Sequence, residues 1–138
     1  MSRNGQGHED LPRNECLRLL SSVRLGRIVY TLQALPAVAV VNFAMHDGGV
    51  VCRIDGGRHL KAATHHTVVA FEADDLDRDA HSGWSVTVVG TADEITDTTE
   101  IAALTALDLE PWAPGIQTRF IRISPEIVTG RRIHPATA

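Results

Sequence analysis

Apolar and polar positions along the chain change period several times. Cys16, Leu19, Leu20 and Val23 recur at three- and four-residue spacing, which predicts a helix over residues 11–20 with one apolar stripe. Pro12 fits its first turn, where a missing donor costs nothing, and Gly26 reads as its stop. From residue 27 the pattern turns to β-formers. Residues 27–32, 35–45 and 50–54 read as three strands of a meander, with a tight hairpin at Asp47-Gly48-Gly49. Residues 67–73 form a fourth strand, apolar enough at its start to be central. Residues 74–82 read as a charged loop and residues 83–95 as a long fifth strand. Gly90, in its middle, marks a bulge or the close approach of another backbone.

Shorter signals fill the gaps. Residues 59–65 read as a short helix with Leu60, Ala62 and Ala63 on its inner face. Residues 96–100 hold the N-cap candidates of a helix running to about Leu107. Residues 110–115 read as a loop, and residues 119–130 as a last strand bent at Pro125. Six strands, short turns and three short helices, without alternating βα units, exclude a doubly wound parallel sheet. They predict a mainly β fold, a six-stranded antiparallel barrel with helices over its ends, because closure removes exposed strand edges. Residues 1–10 and 134–138 read as tails, and 11–133 as one domain.

Composition narrows the partners. With 138 residues, 43% of them apolar, the chain can build one core. Thirteen basic against 17 acidic residues give a net charge of −4, which argues against nucleic acid. Residues 1–10 hold no apolar leader, and no apolar run is long enough to span a bilayer. Cys16 and Cys52 lack metal or redox spacing and read as inert core thiols. The expectation is a soluble cytoplasmic protein that contacts neither membrane nor nucleic acid.

One segment stands out chemically. Arg53 ends a strand that leads through Asp55-Gly56-Gly57 to Arg58, His59 and Lys61 at a helix start. Glycines admit a ligand close to the backbone, and a helix N-terminus offers free N–H groups to an anion. Four basic or potentially basic side chains within nine residues therefore form a candidate phosphate site. An ordinary solvated turn is the bland alternative. His65 and His66 are adjacent and diverge, so no metal is expected there. Trp84 and Trp112 could cover a flat ring or simply pack on the core. Glu72, Asp74 and Asp75 could exchange protons, or be a solvated strand end.

Taken in order, these segments resemble the pyridoxamine 5′-phosphate oxidase-like flavin-binding split barrels, in particular the small branch that includes nitroimidazole-resistance-type proteins. The carrying stretches are residues 15–20 with 25–29, then 36–43, 51–60, 69–75, 83–86 with Gly90, 111–114 and 123–133. The resemblance implies an FMN-binding split barrel and a homodimer with two flavin sites at its interface. It implies that Val41, Asn42 and Phe43 run beside the isoalloxazine ring. It implies that Arg53, Ile54 and residues 57–61, with Arg58, His59 and Lys61, hold the ribityl phosphate. Trp84 and Ser85 would line the pocket's other side. His59 stands where the family commonly has a phosphate-binding Lys, which opens a different phosphorylated cofactor, the deazaflavin F420. The function implied is an FMN-dependent oxidoreductase, or an F420-dependent reductase on the same barrel, or a non-catalytic flavin or haem module. A haem would need an axial ligand, for which His134 is the candidate. The resemblance supplies no catalytic acid or base and no substrate.

Overall fold

Alternation of buried and outward residues sets the long strands of the sheet, while two shorter ones are buried on both faces. The computed structural model describes residues 7–54, 60, 63–107, 109 and 119–135. In chain order the elements are β1 (His8–Asp10), α1 (Arg13–Leu20), β2 (Leu25–Leu32), β3 (Leu35–His46), β4 (Gly49–Ile54), β5 (Thr67–Asp77), β6 (Ser82–Glu94), α2 (Thr98–Thr105), β7 (Arg119–Ile123) and β8 (Ile127–Ile133). Every pairing is antiparallel, in the order β1-β8-β6-β5-β2-β3-β4-β7. The pairing of β6 with β7 closes β2 to β7 into a six-stranded barrel. Its interior is packed with side chains, as expected for so few strands. Ile28, Phe43, Val50, Cys52, Phe71, Val86, Val88 and Ile123 are fully buried there. Phe43 meets Phe71 edge-on, ring centroids 4.7 Å apart.

Gly90 sits where β6 passes from one partner to another. Its residues Gly83 to Val89 pair with β8, and Ala92 to Glu94 pair with β7. The chain bends between β7 and β8 at Ser124 and Pro125, pressing its backbone against β6. A Cβ on Gly90 would lie 1.6 Å from the Ser124 carbonyl oxygen. Thr91 fastens the bend. Its carbonyl accepts from Ser124 N–H at 3.0 Å, and its hydroxyl donates to Glu126 at 3.0 Å. The glycine thus marks the close backbone approach that its position in the strand implied.

Several expectations are corrected. Gly26 is not a helix stop. Helix α1 ends at Leu20 with Ser21 as its C-cap, and Gly26 lies inside β2 opposite Val41. A Cβ there would come within 2.3 Å of the Phe71 ring, so Gly26 is the seat of that ring. Residues 74–77 belong to β5 rather than to a loop, because their backbone pairs with residues 82–85. Ladder pairing outweighs the poor strand propensity of Asp. His8–Asp10 are not tail but an added strand on β8. Two helices stand among the described residues. Of the short helix expected at residues 59–65, residues 59, 61 and 62 lie outside them; Leu60 and Ala63 are helical, and Thr64 N–H donates to Leu60 O at 3.1 Å. The loop at 110–115, with Trp112, also lies outside.

Helix α2 starts as its N-cap signal requires: Asp97 accepts from Thr99 N–H at 2.9 Å. Leu104 anchors it on the outer wall beside Val51, Ile95, Leu109 and Phe120. No helix among the described residues is long and apolar enough to cross a membrane.

Candidate functional site

Arg53 is the one cation of the expected phosphate site that lies among the described residues; Arg58, His59 and Lys61 lie outside them. It is the penultimate residue of β4 and faces outward between Cys52 and Ile54, both buried. Its Nη1 donates to Leu109 O at 2.9 Å, and its guanidinium lies 5.8 Å from the Phe120 ring centroid. Its Nε is buried without a hydrogen-bond partner among the described residues. An orphaned donor on a cation is costly to bury, and an anion would satisfy it. Arg53 lines a cavity of about 190 Å³ with Glu94, Ile95, Thr105, Arg119 and Phe120. Arg119 was not singled out from the sequence. It reaches Arg53 through the β4–β7 ladder, where Ile54 faces Arg119 across 65 positions of sequence, and no local motif encodes that.

The remaining expected site residues separate by strand parity. Val41 and Phe43 point into the barrel and are core; of the three, Asn42 alone turns outward, paired in register with Arg53. Ile54 is also core. Trp84 is buried in the same core, the bland reading of that residue. Ser85 faces out, but not toward Arg53. It lines a separate depression of about 260 Å³ with Asp10, Thr87, Thr129, Gly130 and Arg131. On one chain the expected pocket is therefore in two pieces, one at Arg53 and one at Ser85.

Between them lies a charged cluster. Arg27 Nη1 sits 3.0 Å from Glu72 and 3.3 Å from Asp74, three side chains on the outer face of β2 and β5. Two carboxylates share one guanidinium. Burial, and then Asp74, push the Glu72 carboxyl up to about 7 against the pull of Arg27. Flanking this cluster, one row of cross-strand neighbours is apolar from end to end: Val38, Val29, Ala70, Val89 and Ile127. Val38, Val68 and Ile127 each expose at least 60% of their surface.

Other groups have structural partners. Burial raises the pKa of Cys16 and Cys52, so both thiols stay protonated and unreactive. His134 lies 3.1 Å from Glu9, which occupies the proposed haem ligand. His65 and His66 are exposed at the surface, and His66 pairs with Asp93 at 2.8 Å. His46 approaches Glu100 at 3.8 Å, but Arg122 holds both Glu100 oxygens and ties α2 to the barrel.

A family model described as pyridoxamine 5′-phosphate oxidase matches residues 12–132. The chain belongs to that family. The uncharacterized protein Rv0080 of Mycobacterium tuberculosis is 43% identical over 129 residues, covering 90% of this chain and 84% of its own. A solved FAD binding protein from Mycobacterium smegmatis is 36% identical with a TM-score of 0.78, over 93% of this chain and all of that one. A candidate 5-nitroimidazole antibiotic resistance protein from Bacteroides thetaiotaomicron is 15% identical with a TM-score of 0.62, over 92% of this chain and 89% of that one. At that identity the likeness shows the fold alone. The split-barrel expectation and the resemblance both hold.

Proposed function

We propose that this member of the family binds a flavin nucleotide between two copies of the chain and serves as a flavin-dependent oxidoreductase. The observation that carries it is the division of the pocket. The Arg53 cavity, with its orphaned Nε, suits a phosphate; Arg119 also lines it, its Nε 4.0 Å from Glu94. At about 190 Å³ it is smaller than the 300–1,000 Å³ of typical ligand pockets. A three-ring isoalloxazine must therefore lie partly on open surface, against Asn42 and the wall of another copy. The hydroxyl-lined depression at Ser85, Thr87 and Thr129 is a suitable second wall.

When bound, the flavin would supply the electron chemistry. The chain's own residues would neutralise the phosphate (Arg53, with Arg58 and Lys61 close to it in sequence) and fix the ring edge near Asn42. FAD and FMN share the phosphate that Arg53 would hold. The FAD-binding relative at 36% identity favours the dinucleotide, and FMN is the nearer alternative. The deazaflavin F420 remains a distinct reading because His59 replaces the common Lys. Work in the cytoplasm is consistent with two free, buried cysteines.

Titration with FAD, FMN and F420 separately, followed by visible absorbance and flavin fluorescence, tests the proposal. Saturable binding of a flavin is expected, weakened at least tenfold in Arg53→Met. No spectral change with any of the three overturns it.

A further inference from the structure

The outer face of β3, β2, β5, β6 and β8 carries two neighbouring rows. One is the apolar row Val38, Val29, Ala70, Val89, Ile127. The other runs Val40, Arg27, Glu72, Thr87, Thr129. With Val68 and Val40 also exposed, the apolar part amounts to roughly 400 Å², the scale at which a surface patch marks an interaction site. A second copy is the fitting occupant, because the face is continuous with both halves of the divided pocket that a second copy would complete: Thr87 and Thr129 of the second row line the Ser85 depression, and Asn42 stands two residues beyond Val40 on β3. We propose that pairing of two barrels through this face takes up a proton at each Glu72, so that self-association weakens as pH rises. This rests on the two-copy reading above and adds its control.

The charges around Glu72 decide the direction. Its own strand offers Asp74, and β2 offers Arg27. Across β6 it meets Thr87, with Ser85 beside it, and neither ionises in this range. The next cation on that side, Arg131, lies one strand further, opposite Ser85 and Asp10. With both acids ionised the cluster carries one net negative charge on side chains only 26–35% exposed to water. Covering the face removes that water, and a second copy brings an identical negative cluster. Both effects favour the protonated acid. A proton on Glu72 makes each cluster neutral, and the hydroxyl can donate to Asp74.

The sign follows from linkage. Glu72 in the single barrel titrates near 7. Below that it already holds its proton, and the dissociation constant is flat with pH. Above it, each association must bind up to two protons, so Kd rises by up to about a hundredfold per pH unit.

The test is sedimentation of the full chain between pH 6 and pH 9, in the wild type and in Glu72→Gln. Both are also read in a Val38→Ala background, which brings a very tight dimer into measurable range. Dilution calorimetry in two buffers of different ionisation enthalpy counts the protons directly. A Kd that is flat below about pH 7, rises above it, and becomes flat throughout in Glu72→Gln is the expected result. A protein that is monomeric at every pH and concentration sinks the two-copy reading itself. A dimer whose Kd ignores pH, rises equally in Glu72→Gln, or tightens with rising pH leaves that reading standing and overturns the proton linkage.

Discussion

Two hairpin turns of this barrel adopt the same backbone with opposite chemistry, and exchanging their residues should move stability in opposite directions. The β2–β3 turn places Gln33 at φ 52° and Ala34 at φ 64°; the β3–β4 turn places Asp47 at 53° and Gly48 at 75°. Each is a two-residue connection, closed by Leu32 opposite Leu35 and His46 opposite Gly49. Two positive φ values are what the right-handed twist of a hairpin demands, and Asn-Gly or Asp-Gly supplies them at least strain. Ala34 instead holds a left-handed conformation that costs an L-residue roughly 1–2 kcal/mol. Ala34→Gly relieves that strain but frees the unfolded chain, which returns roughly 0.5–1 kcal/mol. The net expectation is stabilisation by about 0.5–1 kcal/mol. Gly48→Ala should cost the same amount. A Cβ on Gly48 meets nothing within 4 Å, so conformation alone sets the sign. The turns cap opposite ends of the 12-residue strand β3, about 40 Å apart at the usual rise, so the double exchange should nearly cancel. Urea unfolding of the three variants at one fixed protein concentration measures this, with melting shifts of about 2–4 °C. A destabilised Ala34→Gly, or a neutral Gly48→Ala, would refute the reasoning.

Three further outcomes are expected. Gly90→Ala forces a methyl group onto the Ser124 carbonyl, so it should cost several kcal/mol and lower soluble yield, read by expression and melting temperature. Phe43→Ala empties a fully buried site against Phe71 and should cost about 3–5 kcal/mol in denaturant unfolding. Glu72 holds its proton more tightly folded than unfolded, so the wild type should lose about 1–2 kcal/mol, allowing for partial solvent screening, as pH rises from about 4.5 to about 7. Glu72→Gln should remove that slope, and an unchanged pH profile in the variant would discount the role of this carboxyl.

The strands were legible because alternation survives in the amino-acid order. Val41, Phe43, Val50, Cys52, Phe71 and Val86 follow the two-residue period of a wall with a packed inside. The same period could have sorted the expected site residues, since Val41 and Phe43 share parity and only Asn42 faces out. The turn at Gln33 and Ala34 carries no glycine, and the strand-like Asp74 and Asp77 carry the wrong propensity; pairing with β3 and β6 decides both. Gly26 was misread for a related reason. A glycine after a helix looks like a stop until Phe71, 45 residues later, is known to rest on it. Arg119 beside Arg53, and Arg27 beside Glu72, arise only from the order in which strands close the barrel. Local spacing contains neither.

That order also constrains where any ligand can act. A six-stranded barrel with Phe43, Phe71, Ile28 and Ile123 inside has no interior left to bind with, so function must be written on the outer wall. Helix α2 covers the wall over Val51 and Phe120, and α1 lies on β8, where Gly130 leaves room for the Cys16 sulfur. Among the described residues, the wall left uncovered is the one that carries Asn42, the Arg27 cluster, the valine row and the Ser85 depression. On the function proposed above, ligand binding and self-association would draw on the same surface. Whatever changes the protonation of Glu72 changes the setting in which a bound ring would sit. A flavin held there should tighten pairing of the barrels, and pairing should tighten the flavin by the same factor, as linkage requires. Flavin affinity measured at rising protein concentration would show that coupling, and an affinity independent of concentration across the dimerisation range would separate the two events.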